Sequence, residues 1–219
     1  MNHVPLSRSS LLKIAILLIA TSVHLARADG LKSLENYVQT VHGGRADFTQ
    51  TVTAPAKNGQ VARSKTSSGT FEFLRPNRFR FVYKKPFEQT IVADGQTLWL
   101  HDVDLNQVTA RSQAQVLGST PAALIASAPD LKALQVEYTL QGAPEKDGVQ
   151  WVLATPRAKE GQLQSVRVGF RGNDLAVLEI LDSFGQKSVL VFSPLDVSTP
   201  LRTVDFQFKP PAGADVIRQ

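Results

Sequence analysis

Cysteine is absent from all 219 residues. That excludes disulfide staples, thiol chemistry and cysteine-ligated metals, and it also excludes a lipid-modified cysteine as a membrane anchor. Histidine is nearly as scarce. Of four in the chain, only His42 and His101 lie beyond the first 28 residues, and neither stands at a metal-ligand spacing. There is no G-x-S-x-G elbow, no H-E-x-x-H helix and no phosphate-binding glycine loop. Asp102 and Asp104 stand two apart in "LHDVDLNQ"; a cation-binding pair is one reading, and solvated carboxylates at a strand end are the commoner one. Glu72 and Glu179 alternate with apolar neighbours and read as solvated strand positions. A hydrolase needs an activated nucleophile or an acid–base pair. The sequence offers neither, so it reads as a non-enzyme without cofactor or metal.

Long apolar runs are missing as well. The longest candidate, "IAILLIA" at Ile14–Ala20, is too short to span a bilayer. With Arg8 and Lys13 before it and "ARA" at 26–28 after it, residues 1–28 read as a secretory signal peptide cleaved after Ala28. A retained N-terminal anchor is the alternative. Removing the leader changes the charge argument. The whole chain carries 24 basic and 19 acidic residues, and three of the basic ones leave with the leader, so the mature excess is two. Much of the positive charge therefore serves export. Nucleic acid is not an expected partner of such a chain. Residues 29–219 have the length of a single domain with its own core.

What remains is mostly alternation. One helix is expected after the leader, with Leu31, Leu34, Val38 and Val41 at helical spacing, Asp29 as its cap and Gly43-Gly44 as its stop. Thereafter the period is two. "ADFTQTVT", "GTFEFL", "NRFRFVY", "QTIVA", "TLWLHD", "LQVEYTL", "VQWVLAT", "QSVRVGF", "LAVLEIL", "SVLVFSP" and "VDFQFKP" all read as strands. Turn signals such as Asn58-Gly59, Asp94-Gly95, Asp147-Gly148 and Ser183-Phe184-Gly185 separate them, and short turns imply an antiparallel meander. Arg111–Asp130 breaks the pattern. Thr120 as cap with Pro121 behind it predicts one or two short helices there, closed by Pro129.

The stretch "FLRPNRFRFVYKKP" (Phe73–Pro86) interleaves five cations with four aromatics. That pattern marks some nucleic-acid surfaces. It is equally what a strand with one apolar and one wet face looks like, and export favours the strand. A sheet of about eleven strands with so few helices has more apolar face than its helices can cover. A closed barrel, a sandwich, or an open sheet around an unfilled hollow would each resolve this. Phe71, Phe73, Phe79, Phe81, Trp99 and Phe170 are the candidate lining, and alternation alone does not separate a cavity wall from a core.

"FTQTV" (48–52), "RPNRFRF" (75–81), "DGQTLWLHDVDLNQV" (94–108), "TPAALI" (120–125) and "FQFKPPAG" (206–213) occur in this order. Together they resemble the LolA family of periplasmic outer-membrane lipoprotein carriers, over nearly the whole mature chain. The resemblance implies an incomplete antiparallel β-barrel of about 11 strands with a helical lid over an apolar cavity. It implies a monomer in the periplasm that takes lipoprotein cargo from the inner-membrane LolCDE ABC transporter, shields the acyl chains, and hands them to LolB at the outer membrane, without stable insertion into either membrane. LolB itself is a lipoprotein and would need a cysteine. By the same resemblance Arg75 is the lid latch, bonding lid backbone carbonyls. Phe71, Phe79, Phe81, Trp99, Leu124 and Ile125 are expected along the acyl-chain cavity and handover path. For Trp99, which alternates with Leu98 and Leu100, either sheet face stays open. The basic loop at 53–69 departs from the family pattern, and Arg78 and Arg80, if outward, would dock on acidic partner surfaces. A related carrier of another amphiphile such as a glycolipid, or an envelope-stress sensing module, are the alternatives.

Overall fold

The computed structural model describes residues 28–56, 61–116, 121–126, 128–158 and 161–219. The expected leader, the Asn58-Gly59 turn and the Thr120 cap therefore lie outside the described residues, apart from Ala28. Helix α1 (Ala28–Thr40) opens the chain. Strands β1 (Gly43–Thr53), β2 (Ser64–Leu74), β3 (Arg78–Lys85), β4 (Gln89–Ala93), β5 (Thr97–Asp102) and β6 (Gln107–Ser112) follow. Three short helices come next, α2 (Gln113–Val116), α3 (Ala122–Ala126) and α4 (Leu131–Glu137). Strands β7 (Tyr138–Lys146), β8 (Val149–Pro156), β9 (Leu163–Arg171), β10 (Asp174–Asp182) and β11 (Lys187–Phe192) form a second run. A 3-10 turn (Thr203–Phe206) and β12 (Asp215–Arg218) follow.

All twelve strands make one sheet in the order β12-β6-β5-β4-β3-β2-β1-β11-β10-β9-β8-β7. It is two antiparallel meanders sewn together where β1 pairs with β11. The outermost strands, β12 and β7, do not pair with each other, so the sheet curves without closing. Period two does the sorting. Phe48, Phe71, Phe73, Phe79 and Phe81 turn to the inner face, where Val166, Val168, Leu178 and Leu190 from the second meander join them in one cluster. The outer face of β1–β3 is charged: Arg45, Glu72 and Arg80 are cross-strand neighbours, and Glu72 is ion-paired with both arginines. The basic–aromatic stretch is thus a strand with an apolar inside and an ionic outside.

Helix α1 lies against β7–β9 with Leu34, Tyr37 and Val38 fully buried. Gly30 makes that approach possible, since a Cβ there would collide with the backbone carbonyl of Trp151. Several boundaries differ from expectation. Asp29 lies inside α1 rather than capping it, and the helix stops at Thr40. Gly43-Gly44 begin β1 instead of ending the helix; a Cβ on Gly43 would sit 2.9 Å from the Phe73 carbonyl oxygen, so this glycine serves strand contact.

Two predicted strands are strands only in part or not at all; of "LQVEYTL", Tyr138–Leu140 opens β7. Leu134–Glu137 belongs to α4, whose start is capped by the Asp130 side chain accepting from Ala133 N. The "VDF" of "VDFQFKP" is the 3-10 turn, where the Asp205 carboxylate accepts from the backbone and side chain of Arg202. Two real strands had gone unseen. One is β6, whose buried Val108 and Ala110 sit beside His101 and Trp99 on the outer face. The other is β12, four residues paired in parallel to β6.

The 3-10 turn straps the outer face of the sheet. Phe206 is fully buried. Arg80 donates to the Asp205 carbonyl and places its guanidinium 5.9 Å from the Phe206 ring centre. Arg78 is half-buried and donates to the Pro76 carbonyl. Arg80 is therefore occupied by the chain's own strap and by Glu72, not presented to an acidic partner.

Candidate functional site

The site forms where α1, α3 and the turn between β2 and β3 converge. Asn77 takes a positive φ of 64° to bring the chain round into β3, and the amide of Arg75 donates to the His42 carbonyl at 2.7 Å. That bond ties the turn to the segment just after α1. The Arg75 side chain then points inward. Its Nη1 donates to the Val41 carbonyl at 2.6 Å and its Nη2 to the Ile125 carbonyl at 2.8 Å. One guanidinium thus joins three pieces: the β2–β3 turn, the segment just after α1, and α3. The planar fork of arginine suits two carbonyls at once, which a lysine ammonium cannot match.

Tyr37 completes the arrangement. Its ring lies 5.0 Å from the guanidinium carbon, and the adjoining Phe73 ring, 6.1 Å from that of Tyr37, lies 5.3 Å from the same carbon. Its hydroxyl donates to the same Ile125 carbonyl at 3.4 Å. Burial shifts both groups towards their neutral forms. The phenol is pushed far above its usual range, with the Arg75 charge a smaller opposing influence. The guanidinium is pulled below its usual value, chiefly by desolvation. Arg75 Nε is buried and has no hydrogen-bond partner. A cation held like this is costly to keep dry. It persists because two short charge-assisted bonds and two aromatic faces offset the cost.

Beneath the latch lies a floor of aromatic side chains. Phe71 and Phe81 centroids are 4.5 Å apart, Phe71 and Phe73 are 5.6 Å apart and stacked, and Phe48 meets Phe81 edge-on at 5.5 Å. Phe71, Phe73 and Phe79 have no exposed surface, and neither do Leu124 and Ile125 of α3, which lie in the same cluster. The structure therefore brings Phe71, Phe79, Phe81, Leu124 and Ile125 into one buried cluster, with Arg75 hydrogen-bonded to the Ile125 carbonyl at its margin.

Trp99 does not join them. Its indole Nε1 donates to Asp94 at 2.7 Å, and its ring sits 5.5 Å from Phe208, on the face covered by the C-terminal strap. The inner face at this strand is taken by Leu98, which packs against the core cluster. The cavity expectation for Trp99 is thereby replaced by a place on the outer face.

Tyr37 and Gln113 were not singled out beforehand, and Val41 and Ile125 take part in a way that was not foreseen. Tyr37 was findable, because it lies three residues after Leu34 on the apolar stripe of α1. Val41 and Ile125 act through backbone carbonyls, which no side-chain pattern reveals. Gln113, buried, donates to the Asn77 carbonyl and accepts from Gly95 N, bracing the turn that carries Arg75. Beside the latch, Val41, His42, Leu74, Val197, Pro200 and Leu201 line part of a pocket of about 390 Å³. Among the described residues, no group of three or more His, Cys, Asp or Glu could hold a metal ion, and no helix is long and apolar enough to cross a membrane.

Comparison with known proteins bears on the same residues. The family described as outer membrane lipoprotein carrier protein LolA matches residues 39–209. An outer-membrane lipoprotein carrier protein of Albidiferax ferrireducens is 71% identical over 209 residues, covering 94% of this chain and 98% of its own length. One from Leptothrix cholodnii is 54% identical and covers 94% of this chain and 93% of its own. One from Neisseria meningitidis serogroup B is 39% identical, covering 93% and 94% respectively.

Proposed function

The chain belongs to the LolA family of outer membrane lipoprotein carrier proteins, and from that premise we propose that it carries lipoproteins across the periplasm by sheltering their acyl chains against the floor beneath α3. It acts after the leader at 1–28 is removed, as a single soluble domain over 29–219. It makes and breaks no bond. Cargo arrives from the LolCDE transporter of the inner membrane and leaves to LolB at the outer membrane.

The observation that carries this reading is the pair of hydrogen bonds that Arg75 donates to the Val41 and Ile125 carbonyls, closing an apolar floor with a lid that is hydrogen-bonded as well as packed. An acyl chain of ~15 methylenes at ~0.8 kcal/mol each resists water by roughly 12 kcal/mol. A carrier must offset much of that and still release the cargo. In the closed state the floor is buried, and Leu124 and Ile125 of the lid lie in the same cluster. Entry of an acyl chain therefore exchanges lid–floor contacts for cargo–floor contacts, so the net affinity is the difference between two similar burials. Arg75 sets the threshold of that exchange. Phe71, Phe79 and Phe81 receive the chains, and Leu124 and Ile125 ride over them.

Transfer tests the proposal. Membranes holding a labelled lipoprotein are incubated with purified protein and ATP, and the supernatant is examined. A soluble one-to-one complex of protein and lipoprotein is the expected result. Lipoprotein that stays with the membrane at every protein concentration would refute the carrier reading.

A further inference from the structure

The end of the sheet remote from Arg75 has a composition that carriage does not use. The connections that register places there include the one between β1 and β2, 86–88 between β3 and β4, 103–106 between β5 and β6, and 183–186 between β10 and β11. Large apolar side chains stand exposed on their described residues. Val61 is 88% exposed, Phe87 69%, Leu105 70% and Phe184 72%. Scattered apolar residues on a surface are ordinary; two nearly bare phenylalanines on separate turns at one end are not scattered.

Cations stand among them. Arg63, Lys65, Lys84 and Lys85 are exposed, and among the described residues none of the four forms an ion pair. From Phe48 to Phe87 the sequence holds eight basic residues and one acid, Glu72, and Glu72 is already engaged with Arg45 and Arg80. Other carboxylates at this end are committed or few. Asp102 accepts from Leu105 N, and Asp182 accepts from the amides of Phe184 and Gln186. Lys187 is paired with Glu179. Glu88, Asp104, Glu137 and Asp215 are the exposed exceptions among the described residues.

We infer that this end is a docking surface for an anionic lipid bilayer, with Phe87, Phe184, Leu105 and Val61 entering the headgroup layer and Arg63, Lys65, Lys84 and Lys85 facing lipid phosphates. The spacing favours a bilayer over a folded partner. A protein interface has a contiguous apolar core inside a polar rim. Here the turns of Phe87 and Phe184 are separated by β3, β2, β1 and β11, roughly 19 Å of sheet at ~4.8 Å per strand. A fluid surface accepts each tip independently, and its negative potential attracts the cations between them. Docking is peripheral and reversible. At roughly 3.3 Å per residue, the eleven residues of β1 hold the Arg75 end about 35 Å away from the bilayer. The inference stands apart from the carrier reading, because vesicles without cargo suffice to test it.

The mature protein is sedimented with vesicles of phosphatidylcholine, and with vesicles in which about a third of the lipid is phosphatidylglycerol, at low and at physiological salt. Binding to the anionic vesicles only, weakened by salt as the Debye length shrinks, is expected. Losing a cation near the surface costs about five-fold in affinity, so Lys84→Gln with Lys85→Gln lowers binding more than ten-fold, and Phe87→Ser with Phe184→Ser lowers it comparably. Thermal unfolding confirms that each variant is folded. Should the phenylalanine variant unfold, the lysine variant, which changes solvated groups alone, decides. No binding to anionic vesicles, equal binding to both kinds, or binding unchanged in the lysine variant would overturn the inference. So would attachment to inner-membrane proteins without affinity for protein-free anionic lipid.

Discussion

At the scale of one residue, Arg75 concentrates the energetics of the lid. Each charge-assisted bond from its guanidinium contributes about 1.5–3 kcal/mol, and removing it leaves the Val41 and Ile125 carbonyls to find water or other donors. Against this stands the relief of a desolvated cation with an unpartnered Nε. Arg75→Leu is therefore expected to cost about 2 kcal/mol net, with the global fold intact, because the floor beneath it is held by apolar packing. The loss falls on the lid. Amides of α3 should exchange on the order of thirty-fold faster than in the parent, since every 1.4 kcal/mol is a factor of ten. Handover of cargo should stall, because a lid without its latch no longer makes acyl release favourable. Arg75→Lys should fall between the two, one ammonium serving at most one carbonyl well. Unchanged exchange at α3 in Arg75→Leu, measured by mass spectrometry, would remove Arg75 from the lid's control. The arginine was legible from its place in the "RPNRFRF" motif; its acceptors were not, being main-chain atoms brought together by tertiary structure.

Among the elements, the C-terminal strap is held on by its 3-10 turn. Phe206 supplies its burial and Arg80 its fastening, so Phe206→Ala should cost about 3–5 kcal/mol. Limited proteolysis should then cut between Phe192 and β12 while β1–β5 stay protected. A variant as resistant as the parent would mean that the strap is held elsewhere. The strap also shows why some segments misled. Val204, Phe206 and Phe208 alternate as a strand would, yet this segment crosses the outer face and has no neighbour to pair with. Arg202 and Asp205 close a local turn instead. Leu134, Val136 and Tyr138 alternate too, but Leu131, Leu134 and Tyr138 also fit helical spacing. Val136, 71% exposed, shows which period won. Where a strand has one buried face and one wetter one, as in β9 and β11, alternation and turn signals located the strands well. Strand β6 escaped because it buries small residues on the face opposite to the one its neighbours use.

Over the whole molecule, the architecture was readable because too many strands for too few helices leaves an apolar face to be covered. How completely the lid covers it was not readable, since core and cavity wall share one pattern. The degree of closure has a consequence in alkali. The chain holds three tyrosines, and all three are pushed upward by burial: Tyr83 to about 12, Tyr138 to about 12 with Glu137 adding to the rise, and Tyr37 further still. An unfolded phenol ionises near pH 10. Below that, folded and unfolded chains hold the same phenolic protons and the groups are silent. Above it, the unfolded chain loses protons that the folded one keeps, so stability falls as pH rises from about 10 towards 12. Each phenol contributes at most about 1.4 kcal/mol per pH unit, and three together about 4. Against a total of about 5–15 kcal/mol, that slope is enough to unfold the protein within a couple of units. Tyrosinate absorbance and far-ultraviolet circular dichroism, followed together against pH, should therefore change in one coincident step well above pH 10. Absorbance that rises near pH 10 while the dichroism stays native would show phenols in contact with water, and a lid that does not seal Tyr37 beneath Arg75.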